Sequence, residues 1–190
     1  ESPVYKKGEI LYGLNKAITP IRETGFVCLV EGYFDLLRLY ENNIKNVVAS
    51  SGTALSDSQA KLLRRYTKEV YVVYDGDSAG IKAAIRNAHI LEKQGLNAFI
   101  IAVPDGDDPD SFILKNGVKE FEKLLKNKHI PVHFRIQQFK TEYPAANFEQ
   151  IEHFTSELLN ELGELKNQIK IGLYLHEISD RLQINESMLI

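Results

Sequence analysis

The sequence predicts an α/β fold in which helices flank a central four-stranded parallel sheet, followed by a helical subdomain. Four short apolar runs rich in β-branched and aromatic residues alternate with segments whose apolar residues recur at helical spacing. Strands that alternate with helices form parallel sheets with right-handed crossovers. No strand pattern follows Ser111, where apolar residues recur at helical spacing only. We therefore predict an α/β domain over residues 1–128 and a helical subdomain over 129–190.

The elements of the α/β domain follow in a regular order. A lead-in helix is predicted over residues 8–23, because its apolar side chains lie on one stripe. The predicted strands cover residues 26–31, 45–50, 69–74 and 97–103. Further helices are predicted from near Asp35, Ser56 and Asp77, and over residues 112–126.

One stretch, Tyr71–Gly80, carries the strongest signal in the chain. Its apolar run ends at Asp75-Gly76, a turn signal, and Asp77 stands where the N-cap of a helix belongs. A strand that runs directly into a helix brings Asp75 and Asp77 to the carboxyl edge of the sheet, where open α/β folds keep their sites. The plainer interpretation is that Asp77 only caps the helix and Asp75 only makes the turn. A cap needs one short acid, however, and a second acid nearby adds repulsion unless a positive charge lies between them.

Acidic residues follow three of the four predicted strands. Glu31 ends the first strand, Asp75 and Asp77 follow the third, and residues 105–110 after the fourth are mostly aspartate. In a parallel sheet these strand ends share one edge, and clustered carboxylates need a counter-charge to stay ionised. Oxygen-only clusters suit Mg²⁺ or Mn²⁺ rather than zinc, and two such ions about 3.5–4 Å apart would clamp the oxygens of a phosphoryl transfer. The alternative is that these acids are solvated loop residues.

The composition excludes several classes of protein. With 190 residues, of which 44% are hydrophobic, the chain can bury a core. No apolar run approaches the length of a membrane span, so no membrane partner is expected. Cys28 is the only cysteine, which excludes a disulfide framework and a cysteine-based zinc site and is typical of a reducing cytoplasm. The net charge is −3, so nucleic-acid binding would depend on local basic patches.

Common nucleotide-binding and nucleophile motifs are missing from the sequence. It contains neither G-x-x-x-x-G-K-[ST] nor G-x-G-x-x-G after a strand, and it has no serine nucleophile elbow. An aspartyl-phosphate enzyme that uses Asp75 and Asp77 as nucleophile and acid stays open. That interpretation leaves Glu31, Asp108 and Asp110 unexplained.

Five segments stand out in order along the sequence: residues 7–14 (KGEILYGL), 31–35 (EGYFD), 49–54 (ASSGTA), 75–80 (DGDSAG) and 107–110 (DDPD). The last four resemble the successive motifs of the TOPRIM fold, in the version found in bacterial DnaG-type DNA primases. The first resembles a segment that precedes the fold in primases, and not in the topoisomerases or nucleases of the superfamily. The match covers about residues 4–127, and Phe34 stands where a Met is common.

The resemblance implies template-directed synthesis of short RNA primers from nucleoside triphosphates. It makes Glu31, Asp75 and Asp77 the metal-binding catalytic acids. Glu31 is then the candidate acceptor for the proton of the attacking 3′-hydroxyl. The implied cofactors are two or more Mg²⁺ or Mn²⁺ ions, with no zinc in this part of the protein.

Further residues take supporting roles if the resemblance holds. Asp35, Asp108 and Asp110 would hold or steer additional metal. Lys7 would lie near the incoming nucleotide, and Gly52 would let its loop approach a phosphate. A solvated lysine and a plain tight turn are the respective alternatives for Lys7 and Gly52.

The implied partners are a single-stranded DNA template, nucleoside triphosphates and an RNA–DNA primer duplex, with a replicative helicase that binds through a region absent from this chain. Complete primases carry a zinc-binding module and a basic subdomain upstream. We therefore expect a cytoplasmic catalytic-core fragment that makes little primer alone. Two alternatives remain: a TOPRIM nuclease or topoisomerase, and a non-catalytic TOPRIM scaffold for DNA repair.

Overall fold

A computed structural model describes residues 6–50, 54–104 and 106–189 of the chain. The chain divides into two compact units, Glu1–His129 and Ile130–Ile190. The backbone of His129 pairs with that of Ile100 through two hydrogen bonds of 2.8 and 2.9 Å, which attach this residue to the first unit.

The first unit contains the predicted four-stranded parallel sheet, in the order β2-β1-β3-β4. Its register places Leu29 of β1 beside Val48 of β2 and Val72 of β3. The strands are apolar along most of their length because helices cover the sheet. They are β1 (Phe26–Val30), β2 (Val47–Ala49), β3 (Glu69–Tyr74) and β4 (Asn97–Ala102).

Helices connect the strands, as the sequence predicts. Cys28 lies fully buried in the core of this unit, where burial raises the pKa of its thiol to about 12, so it serves as a packed side chain. The helices are α1 (Leu14–Thr24), α2 (Tyr33–Glu41), α3 (Asp57–Leu63), α4 (Ser78–Lys93), α5 (Pro109–Asn116) and α6 (Val118–Lys126).

The lead-in helix predicted over residues 8–23 begins later than predicted, at Leu14. A single 3₁₀ turn covers Lys7–Glu9. The backbone of Tyr12 then pairs with Ala49 at the edge of β2, with N···O distances of 3.0 and 3.1 Å. These backbone groups are taken by the sheet edge and are therefore not available to a helix.

The helix predicted over residues 112–126 is two helices, α5 and α6. Gly117 separates them with a φ of 83°, a conformation that favours glycine. The break orients α6 so that Phe121 on its apolar face is fully buried in the core. The centroid of its ring lies 6.4 Å from that of Phe112.

The second unit is helical, as predicted, with a core of its own. The rings of Phe139 and Phe154 stack with their centroids 4.2 Å apart, and Ile178 is fully buried in the same core. Arg135 forms an ion pair with Glu161 between two of the helices. The helices are α7 (Pro131–Glu142), α8 (Phe148–Gly163) and α9 (Gln168–Leu182).

Candidate metal centre and active site

The strand order places two predicted site residues at the centre of the sheet edge. Glu31 directly follows β1 and Asp75 directly follows β3, and these strands are neighbours. The chain runs from β1 outward to β2 and then returns past β1 to β3, so the gap between β1 and β3 is a topological switch point. Ligands bind in open α/β sheets at this kind of crevice.

The β3–α4 corner holds Asp75 and Asp77 in a fixed geometry. As predicted, Asp77 is the N-cap of α4, and its Oδ1 accepts a hydrogen bond of 2.7 Å from the backbone N–H of Gly80. A Cβ on Gly80 would lie 2.3 Å from the carbonyl oxygen of Asp75. The corner therefore requires glycine at position 80, because no side-chain carbon fits against Asp75.

The loop after β4 packs directly on this corner. The backbone N–H of Gly76 donates a 2.9 Å hydrogen bond to the carbonyl of Asp107, and a Cβ on Gly76 would lie 2.2 Å from the carbonyl oxygen of Pro104. Asp108 is the N-cap of α5, with its Oδ1 2.6 Å from the backbone nitrogen of Ser111. Close backbone contact thus brings the acids of the fourth strand end to those of the third.

Asp35 and Asp110 both have partners within the protein. Asp35 Oδ2 accepts from the backbone N–H of Gly32 at 3.1 Å, and its Oδ1 accepts from the backbone N–H of Asp110 at 3.3 Å. The side chain of Asp110 accepts a hydrogen bond from Nε of Arg38. These two acids therefore join the start of α2 to the start of α5.

Two carboxyl groups of this edge have strongly altered acidity. Burial raises the pKa of Asp75 to about 6, and the charges of Glu31, Asp108 and Asp77 add to the rise. Burial likewise raises the pKa of Asp35 to about 6; Asp108 and Asp75 add to it, while the hydrogen bonds from Gly32 and Asp110 act in the opposite direction. The acids of three strand ends thus act on one another electrostatically.

The chemistry of this edge fits a hard divalent cation. Its donors are carboxylate oxygens, and burial together with the charges of neighbouring carboxylates raises the pKa of Asp75, an effect that a bound cation would offset. The caps made by Asp77 and Asp108 each use one carboxylate oxygen, Oδ1, so capping does not occupy both oxygens. Within the described ranges, no three His, Cys, Asp or Glu side chains form a group already arranged around one ion.

Of the two predicted nucleotide-binding residues, Lys7 and Gly52, the structure describes only Lys7. Gly52 lies outside the described residues. Lys7 has an exposed side chain, while its carbonyl accepts a 3.0 Å hydrogen bond from Nε2 of the buried Gln59. Gln59 also donates to the carbonyl of Ile10 at 2.7 Å, so it fastens the segment of Lys7 to the start of α3.

Two residues of this region were not identified from the sequence. Gln59 could have been found as the third residue after Ser56 in a capping box, a local pattern that the structure contains. Arg38 carries no such signal, because its partner Asp110 lies 72 positions further along the chain.

A buried polar network lies directly behind the acidic edge. The hydroxyl of Tyr74, the residue before Asp75, lies 3.3 Å from Oγ of Ser50 and accepts a 2.6 Å hydrogen bond from Nδ2 of Asn87. Ser50 follows β2 and Tyr74 ends β3, so this contact joins two strands that β1 separates. The network fixes the strand ends on both sides of Glu31.

No helix in the described ranges combines the length and the apolar composition that a membrane crossing requires.

Comparisons with known proteins agree on one family. The profile of the family described as Toprim-like matches residues 28–113. The DNA primase of Clostridium acetobutylicum is 38% identical over 187 residues, which cover 98% of this chain and 31% of that protein. The chain spans between 31% and 36% of the length of the curated relatives with the strongest matches.

Solved structures show the same likeness in three dimensions. A crystal structure of the Aquifex aeolicus primase, with its zinc-binding and RNA polymerase domains, superposes with a TM-score of 0.84 at 37% identity and covers 100% of this chain and 45% of that one. A structure of the DnaG primase catalytic domain bound to single-stranded DNA superposes with a TM-score of 0.86 at 26% identity, covering 99% of this chain and 61% of that one.

Proposed function

This chain belongs to the family of DnaG-type DNA primases, and on that premise we propose that it supplies the nucleotidyl-transfer site of a primase. The reaction is the synthesis of short RNA primers from nucleoside triphosphates on a single-stranded DNA template. The observation that carries the proposal is the position of Glu31 and Asp75 at the ends of neighbouring central strands, on either side of a switch-point crevice.

The proposed metal ligands are Glu31, Asp75, Asp77 and Asp108, and the proposed ions are two or more Mg²⁺ or Mn²⁺. When bound, such ions neutralise the triphosphate and stabilise the attacking and leaving oxygens. Zinc is not proposed here, because a Zn²⁺ site usually draws on thiolates or imidazoles and Cys28 is buried in the core.

The side chains of the chain itself position the reactants. Glu31 accepts the proton of the primer 3′-hydroxyl, and Lys7 binds the negatively charged triphosphate near the segment that Gln59 holds in place. The role expected for Gly52 beside a phosphate concerns a residue outside those that the structure describes. The product is an RNA–DNA duplex. The proposed setting is the replication fork in the cytoplasm, where a replicative helicase is a further partner.

Primer synthesis by the complete protein that carries this chain tests the proposal. Labelled nucleoside triphosphates, a single-stranded DNA template and Mg²⁺ are combined with wild-type protein or with Asp75→Asn. We expect Asp75→Asn to lose about 100-fold or more of the activity, because it removes a charge that the metal-dependent step requires. Asp57→Asn, an exposed acid at the start of α3, is the matched control and keeps the wild-type rate.

Two results would contradict the proposal. One is undiminished primer synthesis by Asp75→Asn. The other is Mg²⁺-dependent degradation of the labelled DNA by the wild-type protein without any primer product, which would indicate a TOPRIM nuclease instead.

A further inference from the structure

The acid at the start of α5 has a cation of its own within the protein. Nε of Arg38, one turn beyond Asp35 on α2, donates a hydrogen bond to Oδ1 of Asp110. Both side chains are 28% exposed, so the pair is largely shielded from solvent. Arg38 also lies 3.6 Å from Glu41, but that acid is 69% exposed and contributes little to holding the guanidinium.

Asp110 is held at a second point. Its backbone N–H donates to Oδ1 of Asp35, so the residue is attached to α2 through both its main chain and its side chain. A charge-assisted hydrogen bond between guanidinium and carboxylate is among the stronger ones in proteins, and here it is reinforced by the contact between α2 and α5. Moving this carboxylate towards an ion would break that bond.

The guanidinium also acts on any ion that approaches Asp110. A divalent cation that used Asp110 as a ligand would stand within a few ångströms of a permanent positive charge, and the two would repel each other. The other acids of the edge differ. Asp77 and Asp108 accept only backbone hydrogen bonds at the described contacts, from Gly80 and Ser111, and neither contact carries a full positive charge.

We propose that Arg38 is the resident counter-charge of Asp110 and keeps that acid out of the metal-binding set, so that divalent ions are held by the acids at the ends of β1 and β3 and by Asp108. Arg38 is then a positioning residue that sets how many ions the edge binds. This inference rests on the proposed function, because it concerns the metal-binding edge assigned there.

Mn²⁺ titration followed by electron paramagnetic resonance tests the inference, since the signal of free Mn²⁺ gives both the number of bound ions and their affinity. In the wild-type background we expect Asp110→Asn to weaken Mn²⁺ binding by no more than about threefold, because it removes no metal ligand and acts only by leaving the charge of Arg38 unpaired. Asp75→Asn is expected to weaken Mn²⁺ binding by about tenfold or more.

Removal of the counter-charge is expected to release Asp110. Arg38→Gln gains one bound Mn²⁺ or binds it about fivefold more tightly, and adding Asp110→Asn to Arg38→Gln abolishes the gain. Arg64→Gln is the matched control, because Arg64 is exposed and bonds to the carbonyl of Gln94, away from the acids. If Arg38→Gln does not fold, the comparison of Asp110→Asn with Asp75→Asn decides the matter alone.

The outcomes separate the two proposals. If Asp110→Asn weakens Mn²⁺ binding as much as Asp75→Asn does, the role of Arg38 is overturned while the metal-binding edge stands. If Asp75→Asn leaves Mn²⁺ binding unchanged, the metal-binding edge itself fails, and the proposed function fails with it.

Discussion

Asp75 lies in an environment that differs strongly from that of an ordinary surface acid. Its pKa lies near 6 in the folded protein, against an ordinary value of 3.8, because of burial and of the neighbouring carboxylates. Between pH 4 and 6 the folded state therefore binds more protons at this site than the unfolded state does, and the free energy of unfolding falls as the pH rises through this window. Above pH 6 the ionised carboxylate continues to destabilise the fold when no cation is bound.

The raised pKa of Asp75 predicts a pH-dependent effect of Asp75→Asn on stability. In the presence of a chelator, the variant is expected to be more stable than wild type at pH 7, and its advantage is expected to shrink at pH 4.5, where Asp75 is already neutral in the folded protein. Urea unfolding at the two pH values measures the difference, with the exposed Asp57→Asn as control. An equal advantage at both pH values would contradict the assigned acidity.

At the scale of single elements, the hydroxyl of Tyr74 holds together the ends of β2 and β3. Tyr74→Phe removes the partner of the buried Asn87 amide and is expected to lower the free energy of unfolding by about 1–3 kcal/mol, the cost of leaving a buried donor unpaired. Tyr12→Phe, at a tyrosine that is 46% exposed, is the control and is expected to change stability far less.

A double-mutant cycle separates this hydrogen bond from general packing. If the bond carries the effect, the double variant Tyr74→Phe with Asn87→Ala loses less free energy of unfolding than the two single variants lose in sum. The reason is that the amide that Tyr74→Phe leaves unpaired is absent from the double variant. Strict additivity would show that the hydroxyl of Tyr74 does not couple to Asn87.

The start of α4 depends on glycine for a steric reason. Gly80→Ala places a carbon 2.3 Å from the carbonyl oxygen of Asp75 and is expected to destabilise the first unit by about 1–3 kcal/mol. Gly172→Ala in α9 is the matched change, because a Cβ there meets nothing within 4 Å, and it is expected to stabilise its helix by about 0.5–1 kcal/mol. Hydrogen exchange in α4 and in α9 reports each effect locally, and equal effects of the two substitutions would contradict the steric argument.

Elements with a local cause could be predicted from the sequence, and elements with a distant cause could not. Asp77 was predicted as an N-cap because the cap and its helix are adjacent in the chain, and the structure confirms it. The predicted start of α1 was wrong. The observed start depends on the pairing of Tyr12 with Ala49, 37 positions later, which no local pattern indicates.

At the scale of the whole molecule, alternation of strands and helices was enough to predict a parallel sheet, but not the order of its strands. That order, which makes β1 and β3 neighbours, is what brings Glu31 beside Asp75. The family motifs supplied the candidate acids, whereas the pairing of Arg38 with Asp110 follows from the packing of α2 on α5. The sequence named acids as candidate metal ligands but contained no information on which of them pair with a cation of the protein itself.

In the proposed function, acids from separate strand ends share divalent cations at the crevice between β1 and β3. Anomalous diffraction from a crystal soaked in Mn²⁺ tests it most directly. The proposed site predicts Mn²⁺ peaks at ligand distances of about 2.0–2.3 Å from the carboxylates of Glu31 and Asp75. Mn²⁺ bound only elsewhere on the protein, with no peak beside these two residues, would contradict it.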